Sequence, residues 1–173
     1  MRIAVSGAHC VGKSTLIDEF LRVHPEFVHE PEAYVVLVED YGEEFSAEPC
    51  VEDFRRQLEF NIDRLAKHGP LDDVIYERCP IDFIAYMDVL DPNYTAPPVE
   101  PISKHLDLIV YLPVEHDDEA DFEYPKLRNA VDRRLSAILL DDDLAIINVP
   151  VVEARGTTAQ RLGILEKAIG TPA

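Results

Sequence analysis

Gly7-Ala8-His9-Cys10-Val11-Gly12-Lys13-Ser14 has the spacing G-x-x-x-x-G-K-[ST] of a phosphate-binding loop. Each fixed residue has a physical task. Gly7 and Gly12 let the backbone turn tightly and approach phosphate oxygens with no side chain in the way. The loop amides and the helix opening near Lys13 offer N–H donors and the positive end of a helix dipole. Lys13 can reach the β- and γ-phosphates, and the Ser14 hydroxyl can ligate Mg²⁺. Residues Gly7 to Thr15 are therefore expected to hold the phosphates of ATP. Cys10, inside this loop, reads as a small side chain in a turn or, from its place at a helix N-terminus, as a redox-sensitive group.

Further along the chain, chemistry-bearing residues follow strand-like segments. His29-Glu30-Pro31-Glu32 follows one, where the Glu30 carboxylate can take the proton of an acceptor hydroxyl; the alternative is an exposed turn residue beside a proline. Tyr76-Glu77-Arg78-Cys79-Pro80-Ile81-Asp82 follows another. There Glu77 can hold or orient a Mg²⁺-bound water, and Arg78 can pair with an acceptor carboxylate or phosphate or with Glu30; the alternative is a structural pair at the sheet rim. The densest basic cluster is Arg128, Arg133 and Arg134, set in an acidic background. At least one of these is expected to neutralise charge at the γ-phosphate, against the alternative of a plain helix bearing surface arginines.

The elements that must position these groups alternate. Strands are expected at 1–6, 27–29, 73–77, 106–112 and 144–149. Helices are expected at 13–22, about 50–67, 81–90, 129–140 and 157–169, the last capped by Thr157. In the second helix Val51, Phe54, Leu58, Ile62 and Leu65 recur at helical spacing, and Gly69-Pro70 stops it. Alternation of this kind predicts an α/β fold: a three-layer α/β/α arrangement around a five-stranded parallel sheet. In such sheets ligands sit beyond the carboxyl ends of the strands, which is where the candidate residues fall. The segment 151–156 after the fifth strand is expected to pack on a base or to act as a linker. The proline-rich 91–101 segment shapes a pocket or merely connects helix to strand.

The chain has 173 residues, read as a single domain over 1–173, with 16 basic and 34 acidic residues and a net charge of −18. That charge argues against nucleic acid as a partner. Asp141-Asp142-Asp143 reads as a polar turn, and Glu115, Asp117, Asp118, Glu119 and Asp121 read as a solvated, mobile loop. No apolar run approaches a membrane span, and the N-terminus enters the first strand directly, so a cytoplasmic location is expected. Cys10, Cys50 and Cys79 are too few and too scattered for a disulfide framework or a zinc cluster.

Taken in order, the Gly7–Thr15 string, the Glu30-Pro31-Glu32 turn, the Gln57-bearing helix, the segment from Tyr76 to Tyr86 and the late arginine-bearing helix resemble the small P-loop kinases of the nucleoside and nucleotide kinase group. The chain looks most like short AAA-domain proteins related to nicotinamide-riboside kinase domains. The resemblance implies Mg²⁺- and ATP-dependent phosphoryl transfer to a small-molecule acceptor, with a homodimer as a candidate assembly. It makes Lys13 the phosphate clamp and Ser14 the metal ligand, and places Glu30 at the acceptor hydroxyl. It matches Glu77-Arg78 to the group's strand-end pair, with Glu77 in place of a more usual Asp. It puts Asp82 and Tyr86 where acceptor contacts lie, and Arg128 and Arg133 in the lid. Two classes of activity remain open at this level: a small-molecule kinase, or a nucleotide-dependent switch or slow ATP hydrolase acting through a protein partner.

Overall fold

A computed structural model describes residues 1–70, 72–95, 105–115 and 123–170. The elements run β1 (Arg2–Ser6), α1 (Lys13–Val23), β2 (Val28–Glu30), α2 (Ala33–Glu39), α3 (Val51–Leu65), β3 (Val74–Glu77), α4 (Pro80–Leu90), β4 (Leu108–Tyr111), α5 (Pro125–Leu139), β5 (Val151–Glu153) and α6 (Thr158–Ile169). The strands form one parallel sheet in the order β2-β3-β1-β4-β5. The fold is three-layered α/β/α, as expected.

Burial follows the sequence pattern. The three inner strands, β1, β3 and β4, are buried at every position, as continuous apolar strands covered on both faces must be. The edge strands β2 and β5 are short and partly exposed. Helix α4 is buried from Pro80 to Met87 because it lies between α3 and α5. Helices α1 and α6 pack on one another. The result is that β1 and β3, side by side at the sheet centre, aim their carboxyl ends at the same place.

Several boundaries differ from expectation, each for a local reason. The apolar run 144–149 is not a strand. Asp142 turns back at φ +49° and its Oδ1 accepts the amides of Ile146 and Ile147, both at 2.9 Å, so those donors are not available to a ladder. Pairing begins instead at Pro150, whose carbonyl accepts from the Ile109 amide at 3.0 Å, and the strand is Val151–Glu153, part of the segment expected to be a linker or base contact. Helix α2 was not expected at all. Strand β2 is shifted one residue later than expected. Glu115, read as part of a solvated loop, is fixed: its Oε1 accepts the Gly156 amide at 2.6 Å and the Arg161 guanidinium at 3.0 Å. Asp117, Asp118, Glu119 and Asp121 lie outside the described residues, as does most of the proline-rich 91–101 segment.

Candidate active site

The glycine loop between β1 and α1 is held on all sides. Asp82 Oδ1 accepts the Gly7 amide at 2.9 Å, and Arg78 Nη1 donates to the Gly7 carbonyl at 2.9 Å. Lys13 Nζ donates to the Ala8 carbonyl at 2.9 Å, and Arg128 Nε to that of His9 at 3.2 Å. Arg161 Nη1, from α6, donates to the Val11 carbonyl at 2.6 Å. The His9 amide donates to the Tyr86 hydroxyl at 3.0 Å. Gly12, at φ +88°, is the left-handed N-cap of α1.

Gly7 is required by space. A Cβ there would stand 2.6 Å from the Leu112 carbonyl oxygen and 2.9 Å from Val11 Cγ2. The Leu112 carbonyl is backbone and cannot swing aside, so Gly7→Ala is expected to destabilise the fold by about 2 kcal/mol and to weaken nucleotide binding, read by thermal denaturation and calorimetric titration.

The two candidate metal-site residues meet: Ser14 Oγ donates to Glu77 Oε1 at 2.8 Å. Lys13 is almost completely buried, and burial, then the charge of Arg78, brings its pKa down from 10.5 to about 8. Arg78, also buried, is held the other way. Burial opposes its charge, but Glu32, Tyr86 and Asp82 outweigh that and raise its pKa. Its backbone sits at φ +71°, a strained conformation for arginine that persists because Glu32, Gly7 and Asp82 all hold the guanidinium.

Beside the loop lies a cavity of about 350 Å³ with Glu32, Asp53, Arg78, Glu123 and several aromatic rings in its wall. Phe54 and Tyr86 stack at 4.4 Å, with 15° between their planes. Glu32 Oε1 accepts from Arg78 Nε at 2.5 Å. Burial works against the Glu32 charge, but Arg78 and Lys13 more than offset it and hold the carboxyl below its ordinary pKa.

The sequence-derived candidates are thus only partly brought together. Lys13, Ser14, Glu77, Arg78, Tyr86 and Arg128 converge on the loop or its cavity. Glu30 does not line the cavity: it bonds His68 Nε2 at 2.8 Å and lies 3.5 Å from Arg64 Nη1. Of the two glutamates flanking Pro31 it is Glu32 that lines the cavity, and Arg64 also donates to the intervening Pro31 carbonyl. The Glu30-Pro31-Glu32 turn offers two carboxylates, and only the packing of His68 and Arg64 against Glu30 and of Arg78 against Glu32 tells them apart. Asp82, expected to touch an acceptor, is fully buried. It clamps Gly7 from one oxygen and accepts the Cys79 amide with the other, capping α4. Arg133 is exposed on α5, and Arg134 pairs with Asp88 and Asp143. Cys10 is exposed and lines the cavity rather than packing in the turn. Arg161 was missed altogether: its partner Val11 is 150 residues away in the chain, and no local pattern marks it.

A family model described as an AAA domain matches residues 2–161. The chain belongs to this AAA-domain family. Several solved structures share its fold. A deoxyadenosine kinase from M. mycoides with bound dATP is 13% identical with a TM-score of 0.63, over 99% of this chain and 100% of that one. A thymidylate kinase from Candida albicans is also 13% identical with a TM-score of 0.65, over 98% of this chain and 90% of that one. The NadR protein in complex with NR is 17% identical with a TM-score of 0.63, over 99% of this chain but 50% of that one. No curated protein sequence matches the chain. Among the described residues no helix is long and apolar enough to cross a membrane.

Proposed function

We propose that this chain is a Mg·ATP-dependent kinase that transfers the γ-phosphoryl group to a hydroxyl of a small acceptor held in the aromatic cavity. One observation carries the reading. The Arg78 guanidinium binds the cavity carboxylate Glu32 at 2.5 Å and the loop carbonyl of Gly7 at 2.9 Å, so cavity and phosphate loop share one cation. A nucleotide switch has no need of a second small-molecule cavity tied to its loop. The likeness in fold to kinases of deoxyadenosine and thymidylate supports the same reading.

Phosphoryl transfer asks the protein for positioning and charge neutralisation more than for covalent chemistry. Glu32, held ionised by its cations, accepts the hydrogen bond of the acceptor hydroxyl and takes its proton as the new O–P bond forms and the bridging bond between the γ-phosphorus and the β-phosphate oxygen breaks to leave ADP. Lys13 and the loop amides stabilise the phosphate oxygens, and Arg128, from the start of α5, holds the loop from the other side. Ser14 and Glu77 are the oxygen donors suited to Mg²⁺, which takes few protein ligands and completes its shell with phosphate and water. When bound, Mg²⁺ neutralises charge on the β- and γ-phosphate oxygens.

The cavity also speaks to the acceptor. Glu32, Asp53 and Glu123 outnumber Arg78 in its described wall, and stacked rings face it. An uncharged acceptor with a flat ring, such as a nucleoside, fits this wall better than one that already carries a phosphate. The test is incubation with Mg·ATP and a pooled acceptor library, with products read by mass spectrometry. A species heavier by one phosphoryl group is expected. ADP with no such species would overturn the kinase reading in favour of a hydrolase acting through a protein partner.

A further inference from the structure

The carbonyls of Gly7, His9 and Val11 alternate along the loop, and each is taken by an arginine from a different part of the fold: Arg78 after β3, Arg128 in α5 and Arg161 in α6. A trans peptide plane points its C=O and the next residue's N–H in opposite directions, and the chain has no cis peptide among the described residues. Fixing these carbonyls therefore turns the amides of Ala8, Cys10 and Gly12 to the other side. Among the described residues none of these amides has an acceptor. The Ala8–His9 peptide behaves differently, with its carbonyl on Lys13 and its amide on Tyr86. The arginines thus leave a row of unpaired N–H donors, the arrangement that binds an anion.

Arg78 also serves the cavity and Arg128 lies at the opening of α5, but Arg161 has no such second duty. Its side chain is 13% exposed, and its other partner is Glu115, just beyond β4. Glu115 in turn accepts the Gly156 amide at 2.6 Å. Arg161 Nη1 would also lie 3.3 Å from a Cβ at Gly12, so the guanidinium packs directly against the peptide it orients.

The geometry points to Arg161 as a positioning residue of the phosphate site: by holding the Val11 carbonyl it aims the Gly12 amide at a nucleotide phosphate, and Glu115 holds Arg161 in place. The role concerns phosphate recognition and deepens the reading of this loop as an ATP site. It does not depend on any acceptor.

The experiment is calorimetric titration with inorganic tripolyphosphate and with ATP, each with Mg²⁺, on the wild-type chain and on Arg161→Met, Arg161→Lys and Glu115→Gln. Arg161→Met is expected to raise Kd for both probes by a similar factor of about ten, because a hydrogen bond to a charged group is lost and the amide is no longer aimed. Arg161→Lys is expected to recover part of the loss, and Glu115→Gln to raise Kd about threefold. Where acceptor phosphorylation is measurable, Arg161→Met should raise KM for ATP while kcat at saturating ATP and KM for the acceptor stay put. A folded Arg161→Met that binds tripolyphosphate like the wild type overturns the assignment. If that variant does not fold, an unchanged affinity in folded Glu115→Gln overturns it equally. A wild-type chain that does not bind tripolyphosphate overturns it outright. Arg161-dependent tripolyphosphate binding without any phosphorylated acceptor would overturn the kinase reading alone.

Discussion

Glu32→Gln is expected to lower kcat for acceptor phosphorylation about 10²- to 10³-fold while Kd for Mg·ATP stays within about twofold. The substitution keeps the shape of the side chain and removes the group that would take the acceptor proton. Arg78 loses its charged partner in the cavity but keeps the Gly7 carbonyl and Asp82, so the phosphate loop should stay in place. Glu30→Gln supplies the contrast. Its carboxylate faces His68 and Arg64 behind the sheet edge, so its loss should cost about 1 kcal/mol of stability and leave kcat nearly intact. Steady-state kinetics on both variants, with calorimetric ATP titration, checks the pair. Equal damage from the two changes, or damage confined to Glu30→Gln, would remove Glu32 from its proposed role.

Lys13→Met should abolish measurable ATP binding and yet raise the melting temperature of the empty protein by a few degrees. Both effects have one cause. Burial and Arg78 bring the Lys13 pKa from 10.5 to about 8, a difference equivalent to about 3 kcal/mol in favour of the neutral amine. The unfolded chain therefore binds a proton at Lys13 more readily than the folded one. The cost to folding is fully present below pH 8 and is relieved as pH rises from 8 towards 10.5. The stability gap between variant and wild type should accordingly narrow over that window, as read from chemical denaturation at several pH values. Bound phosphates supply the opposite charge that the empty site lacks. ATP binding near pH 8.5 should then take up a proton, seen as a binding heat that depends on the ionisation enthalpy of the buffer. A gap that does not change with pH would show that Lys13 carries no such strain.

Much of this protein is written locally. The G-x-x-x-x-G-K-[ST] string sets the loop and its ligand chemistry because those tasks need particular residues at fixed spacing. The buried runs of β1, β3 and β4 and the amphipathic period of α3 announce a covered parallel sheet, because burial on two faces or on one leaves a readable pattern. Short edge elements were less legible. Strand β2 has three residues, too few for a pattern that would tell Glu30 from Glu32. The 144–149 run had the composition of a strand, but Asp142 captured the amides a strand would have used.

The division between the two levels follows from sequence distance. The sequence alone determined the phosphate loop, the parallel α/β sheet and the strand-end positions of Glu77 and Arg78, since each depends on neighbours a few residues apart. Only the tertiary structure decided which carboxylate shares Arg78 with the loop, that Asp82 holds Gly7 rather than a ligand, and that Arg161 reaches Val11 across 150 residues. Those assignments depend on where a guanidinium or carboxylate lands once helices from separate parts of the chain pack around the ends of β1 and β3. No local pattern encodes that landing point, because it is fixed by the packing of the whole sheet and its helices.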